Sequence, residues 1–192
     1  MSPAKLPGNP AGDWRQPRLE GERLLLRPLA ADDFAALFAV AQDKAIWAVH
    51  PAHDRWQEPV FREFFANALA HHGAIVVIDK ATGAIIGSSR WQHVGDDEGG
   101  SVEIGWTFLA RSHWGGIYNR ELKRLMLAHA FDHVATVTFQ IGADNVISRR
   151  AMEKIGGRLT DREVVVAMAG APERHVIYAI TRESFAAGPL AA

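Results

Sequence analysis

Gly115 and Gly116 stand between an apolar run with strand character, Val102 to Leu109, and a helical pattern that begins at about Tyr118. Strand, glycine turn and helix together make a chemical device. The first amides of a helix have no partner inside the helix, and they carry the positive end of its dipole. Glycine lets a ligand come close to that backbone. The product is an anion site, usually for phosphate. The competing reading is a tight turn with no ligand. Neither G-x-x-x-x-G-K-[ST] nor G-x-G-x-x-G occurs, which removes a nucleoside-triphosphate loop and a dinucleotide fingerprint. Other chemistries fall to composition. The chain has no cysteine, so a disulfide scaffold, a thiolate metal site and a cysteine nucleophile are excluded. Nine histidines invite a metal. His71 and His72 are adjacent, however, not spaced by three or four along one helix face, so zinc is not expected.

The elements that must position this turn are readable along the chain. At 192 residues and 48% hydrophobic, it suits one domain with a sizeable core. A net charge of −1 argues against a dedicated nucleic-acid binder. No apolar run reaches the length of a membrane span, and the N-terminus lacks a signal-peptide pattern, so a soluble cytoplasmic protein is expected. Residues 1–18, rich in proline and without periodicity, read as a disordered arm. Leu24 to Leu26 is a short strand stopped by Pro28, and Ala30 to Gln42 and Pro59 to His71 are amphipathic helices. Ala74–Ile78 and Ala84–Gly87 form a hairpin whose second strand continues to Trp91. The central strand follows. In the helix after the glycines, Leu122, Leu125, Met126, Ala130 and Phe131 recur at helical spacing. Thr136 to Ile141 is a strand, Asn145 or Asp144 caps a helix ending at Gly156-Gly157, and a last hairpin pairs Val164–Met168 with His175–Ile180. The pattern predicts a mixed sheet with helices on both faces, α/β or α+β, with a frayed tail over 186–192.

The central stretch resembles motif A of the GNAT superfamily of N-acetyltransferases, in the form of the ribosomal-protein N-acetyltransferase (RimJ/RimL-like) branch. That pattern is roughly E-I-G-[YW]-x-[LV], a few residues, then [YW]-W-G-x-G-x-[AN]-x-E-[AL]. This chain has Glu103-Ile104-Gly105-Trp106, then Trp114-Gly115-Gly116-Ile117-Tyr118-Asn119-Arg120-Glu121-Leu122. Ile117 stands where the family usually has a second small residue, and Ser112 where many members have Gln or Arg. Downstream, Asn145-Val146-Ile147-Ser148 and Glu153-Lys154-Ile155-Gly156 resemble the family's N-x-x-S-x-x-x-x-[EK]-K-x-G. The similarity covers about residues 19 to 185. It implies a single GNAT domain with a mostly antiparallel sheet of about seven strands and a splayed central pair that admits acetyl-CoA.

The resemblance also implies roles. Phe108, Leu109, Ala110, Trp114, Gly115, Gly116, Ile117, Tyr118 and Asn119 fall to acetyl-CoA, chiefly through backbone amides at its pyrophosphate. Asn145 would contact the pantetheine arm, although an ordinary helix cap explains it equally. Many members carry a tyrosine acid seven residues further on, where this chain has Met152, so Ser148 becomes the donor to the departing thiolate. Glu103 resembles the strand glutamate that serves some members as general base; a solvated strand residue or a partner for Arg90 are the alternatives, with His93 and Asp96 as other bases. Arg150, with Arg149 and Lys154, is a candidate for the CoA 3′-phosphate, or else part of a solvated helix face. Trp47, His50, Arg55, Trp56, Arg90 and Trp91 are candidates for the acceptor wall, against ordinary packing of large side chains. The expected activity is acetyl transfer from acetyl-CoA to a primary amine, without metal, membrane or nucleic acid. A homodimer is compatible with it. The rival is an acyl-CoA-binding module without turnover.

Overall fold

Alternating apolar runs become strands here, and the helices cover what those strands expose. The computed structural model describes residues 13–168 and 170–191; residues 1–12 of the expected arm lie outside the described residues. The strands are β1 (Leu19–Glu20), β2 (Leu24–Pro28), β3 (Ala74–Asp79), β4 (Ile85–Gly95), β5 (Ser101–Leu109), β6 (Thr136–Gly142), β7 (Arg158–Met168) and β8 (Ala171–Thr181). The α-helices are α1 (Phe34–Ala41), α2 (Glu58–Ala70), α3 (Ile117–Phe131), α4 (Val146–Lys154) and α5 (Arg182–Ala186). One sheet runs in the order β1-β2-β3-β4-β5-β6-β8-β7. Every neighbouring pair is antiparallel except β5 and β6.

Successive residues of a strand face opposite sides. On β3, Ile75 and Val77 enter one core with Leu24, Leu26, Trp91, Leu122 and Met126, whereas Val76 enters a second with Leu37, Phe61 and Phe65. On β5 that alternation breaks. Ile104 belongs to the first core and Phe108 to the second, although four residues apart they would share a face. The cause is a bulge: Ser88 pairs Phe108 and Arg90 pairs Gly105, so β5 carries one extra residue. Trp106 sits in the bulge with φ of 53°. A positive φ on a tryptophan is a strained conformation.

Glu121 of α3 is buried and accepts the amides of Arg23 and Leu24 at 2.8 and 3.0 Å, tying the helix to the β1–β2 turn. A β-carbon on Gly21 would lie 2.2 Å from its Oε1, so the turn needs glycine there. This matching motif residue therefore holds architecture together.

The departures from the sequence expectations have local reasons. The sheet has eight strands because β1, two residues long, pairs Leu19 with Leu26 and Glu20 with Leu25; no period is visible in two residues. The final hairpin is longer than expected, its alternation hidden by a register shift between Leu159 and Glu163. The tail expected to fray follows α5, whose Thr181 cap and Ser184 bond each other's amides. It then sends Leu190, 1% exposed, into the first core.

Candidate functional site

β5 and β6 pair only at Ser101–Thr136, Val102–Val137 and Glu103–Thr138. Beyond Glu103 they diverge, and the edge of β5 that would meet β6 has no ladder partner. A cavity of about 340 Å³ opens there, bordered by β5, β6, α3, α4 and the segment around His50.

Glu103 lies at the apex of the divergence and is 5% exposed. Its Oε2 accepts from His93 Nδ1 at 2.7 Å and from Gln140 Nε2 at 2.8 Å. Burial pushes its carboxyl up from the usual range, and the bonds from His93 and Gln140 only partly oppose that. Across the cavity stands Lys123 of α3, also buried. Its Nζ donates to Thr107 Oγ1 at 2.7 Å and lies 5.6 Å from the Phe139 ring centroid. With no carboxylate beside it, burial pushes the ammonium down to about 7.

At the start of α3, Gly115 and Gly116 have φ of 106° and 109°. A β-carbon on either would meet nothing within 4 Å, so the space in front of the turn is open. No side chain caps the helix, and its first turn leaves amides without an intrahelical partner. Ile117, at the family's small-residue position, is 57% exposed and does not border the cavity. An anionic group such as a CoA pyrophosphate fits this open, donor-rich turn.

The acetyltransferase (GNAT) domain matches residues 23–158, well over half the chain. The chain belongs to the GNAT acetyltransferase family. Its fold is shared with a GCN5-related N-acetyltransferase from Brucella melitensis at 20% identity, TM-score 0.73, over 88% of this chain and 80% of that one. It is shared with Mycobacterium smegmatis RimJ, solved with CoA-disulfide, at 21% identity, TM-score 0.63, over 83% and 82%. Spermidine N-acetyltransferase from Vibrio cholerae, solved with CoA and spermine, matches at 17% identity, TM-score 0.66, over 86% and 99%.

In this GNAT chain the cavity gathers Glu103, Asn119, Asn145, Ser148, His50 and Arg55 from the sequence candidates. Asn145 borders the cavity and caps α4 by accepting Ser148 N at 3.1 Å through Oδ1, with no hydrogen bond from its Nδ2 among the described residues; capping and binding are compatible. The Ser148 hydroxyl has no hydrogen-bond partner among the described residues. Met152, 6% exposed, also borders the cavity. His50 Nδ1 accepts Ala52 N at 2.9 Å, so its proton sits on Nε2, and burial with nearby Arg55 pushes its pKa down to about 3. It stays neutral and can offer only a donor.

Other candidates lie elsewhere. Trp47, 1% exposed, donates to Ala41 O at 2.7 Å and packs on Phe108 in the second core. Trp91 is fully buried beside Trp14 and His129. Trp56 lines a separate hollow under Lys44. Arg90 is buried behind Trp106, outside the cavity lining. Phe108 and Leu109 commit their side chains to the cores, leaving their backbone edge. Ala110 gives its amide to Ile86 O at 2.7 Å. Trp114 folds back to donate to Leu109 O at 2.9 Å. Arg150 is exposed on α4 and does not border the cavity, while neighbouring Arg149 is engaged by Tyr178 Oη and Ala143 O.

Lys123, His175 and Gln140 escaped sequence reading. Lys123 had a signal: it lies on the i, i+4 row of Asn119 and buried Leu127, a charge on an inward stripe. His175 had none, because only the β8–β6 pairing to Gly142 brings it to the cavity.

Proposed function

We propose that this chain is an acetyl-CoA-dependent N-acetyltransferase that moves the acetyl group directly onto a primary amine. The observation that carries the reading is the divergence of β5 from β6 with Glu103 at its apex. Bound acetyl-CoA supplies an acyl group already activated as a thioester.

The chain's own residues do the rest. Amides from Gly115 to Asn119 hold the pyrophosphate against the helix dipole. Unpaired backbone along Ile104–Leu109 bonds the pantetheine amides and polarises the acetyl carbonyl. Asn145 Nδ2 reaches the pantetheine arm. An amine arrives as ammonium at pH 7 and must lose a proton before it attacks. Glu103, its carboxyl raised towards neutrality by burial, accepts that proton, and His93 and Gln140 hold its orientation. The free hydroxyl of Ser148 donates to the departing thiolate. The motif resemblance to the ribosomal-protein N-acetyltransferase branch supports a protein N-terminus as acceptor, and the fold shared with a spermidine N-acetyltransferase supports a small amine.

Met152 at the family's tyrosine position favours a second reading, an acyl-CoA-binding module without turnover. Thermal unfolding with acetyl-CoA, desulfo-CoA and ATP, followed by thiol release with an amine panel, tests both. Binding at a hundredfold excess over Kd adds about 2.7 kcal/mol of stability. A shift with both CoA species but not ATP, with thiol release, is the expected result. A shift without release against any amine would favour the module. No shift with any CoA species would overturn both.

A further inference from the structure

One side of the cavity holds two guanidiniums that contact no carboxylate among the described residues. Arg55 borders the cavity, and its guanidinium makes no hydrogen bond or ion pair among the described residues. It is stacked instead, its Cζ 4.5 Å from the Phe64 ring centroid. Arg90 lies 5.5 Å from the same ring and 4.7 Å from that of Trp106, a cavity residue. Arg90 is 1% exposed; Nη1 donates to Asn67 Oδ1 and Gln92 Oε1 at 2.8 Å each, while Nε and Nη2 are buried with no hydrogen-bond partner among the described residues. Two guanidiniums therefore flank one phenyl ring, and among the described residues neither is in ion-pair contact with a carboxylate; Asp54 near Arg55 and Glu103 near Arg90 act on them only at longer range. Among the described residues, the one carboxylate bordering the cavity is Glu103, already engaged by His93 and Gln140.

A buried guanidinium is normally paired, and an unpaired donor in a dry site is costly. Burial, together with repulsion from Arg55 in the Arg90 environment, brings both arginines down to about 10, only partly opposed by Asp54 at Arg55 and by Glu103 at Arg90, so each still carries its charge at neutral pH. The CoA phosphates are not the missing anion on this reading, because Gly115 to Tyr118, where they would sit, do not border this cavity. The space is of metabolite size, about 340 Å³.

We infer that the acceptor amine carries a carboxylate, which Arg55 receives with Arg90 reinforcing the positive field behind it. The inference rests on the acetyltransferase reading and narrows its acceptor to an amino acid or an amine of that type. The planar fork of arginine matches a carboxylate with two parallel hydrogen bonds. A polyamine would bring like charge to Arg55, Arg90 and Lys123.

The test pairs each amine with and without the charge. The common amino acids, their α-carboxamides, spermidine and a peptide with a free N-terminus are assayed by thiol release with acetyl-CoA. Binding of the same panel to the CoA-saturated protein is measured by calorimetry. At least one amino acid should exceed its carboxamide in kcat/KM by about a hundredfold, since a site built for a polar group rejects the analogue that lacks it. Arg55→Met should collapse that ratio by raising KM for the carboxylate member while leaving the carboxamide unchanged. Arg55→Lys, which keeps the charge but not the fork, should retain part of it, and serves if the methionine variant does not fold. Equal or better use of carboxamides, spermidine or the peptide, an undiminished ratio in both variants, or no amino acid bound or acetylated would overturn the inference. A persisting thermal shift with acetyl-CoA in any of those outcomes would leave CoA binding intact, so the two failures are distinguishable.

Discussion

Glu103 and Lys123 face one cavity with opposite distortions. Burial raises the carboxyl of one and lowers the ammonium of the other, so both move towards neutral pH. For Glu103 the consequence is kinetic. The free base is needed for attack, so kcat/KM should fall at low pH with a midpoint above the ordinary glutamate value of 4.5. Glu103→Gln should cost about 10²–10⁴-fold in kcat/KM and abolish that acid limb; an unchanged profile would remove Glu103 from the base role. For Lys123 the consequence is stability. Its pKa is about 7 folded against 10.5 unfolded, so between those pH values the unfolded chain binds more protons. Stability from this residue therefore rises with pH across that window, by up to about 1.4 kcal/mol per pH unit, and is lost as pH falls back towards 7. Comparative melts of wild type and Lys123→Met from pH 6.5 to 10 should show the slope in the wild type alone.

At the scale of elements, what was legible in the sequence is what is local. The glycine turn before α3 and the Asn145 cap are both written within a few consecutive residues. The residues that sequence reading misplaced depend on partners far along the chain. Trp47, on the connection between the first two helices, and Trp91, on a strand beside the cofactor cleft, were candidates for the acceptor wall, yet contacts to Phe108 and to His129 draw them into packing. The bulge at Trp106 was invisible because it appears only in the register of β5 against β4. Asn145 offers a way to separate cap from ligand contact. Asparagine and aspartate cap helices about equally well. Asn145→Asp should therefore keep the melting temperature within a few degrees while weakening CoA affinity, measured by calorimetry. Unchanged CoA affinity at unchanged stability would mean that the side chain matters only as a cap.

At the scale of the whole molecule, α5 and the residues after it close the first core. Leu190 enters the first core, Pro189 lies beside Gly156, and Arg120 donates to Pro189 O, so this segment is joined to α3. Leu190→Ala should destabilise by about 2–4 kcal/mol in urea titration, the range for emptying a buried leucine site. A tail that merely frayed would show no loss.

The sheet is, in effect, two panels stitched by three residue pairs. One panel runs from β1 to β5, and the other holds β6, β8 and β7. A slender molecule lying along the open seam, with amides of its own, would supply the rungs that the polypeptide omits. The donor would then act as a removable brace, stiffening the join while bound and loosening it on departure. Hydrogen exchange should register this as protection gained along Ile104–Leu109 and Phe139–Gly142 when CoA is added. Equal exchange with and without CoA would mean that the panels are already as firmly joined as they become.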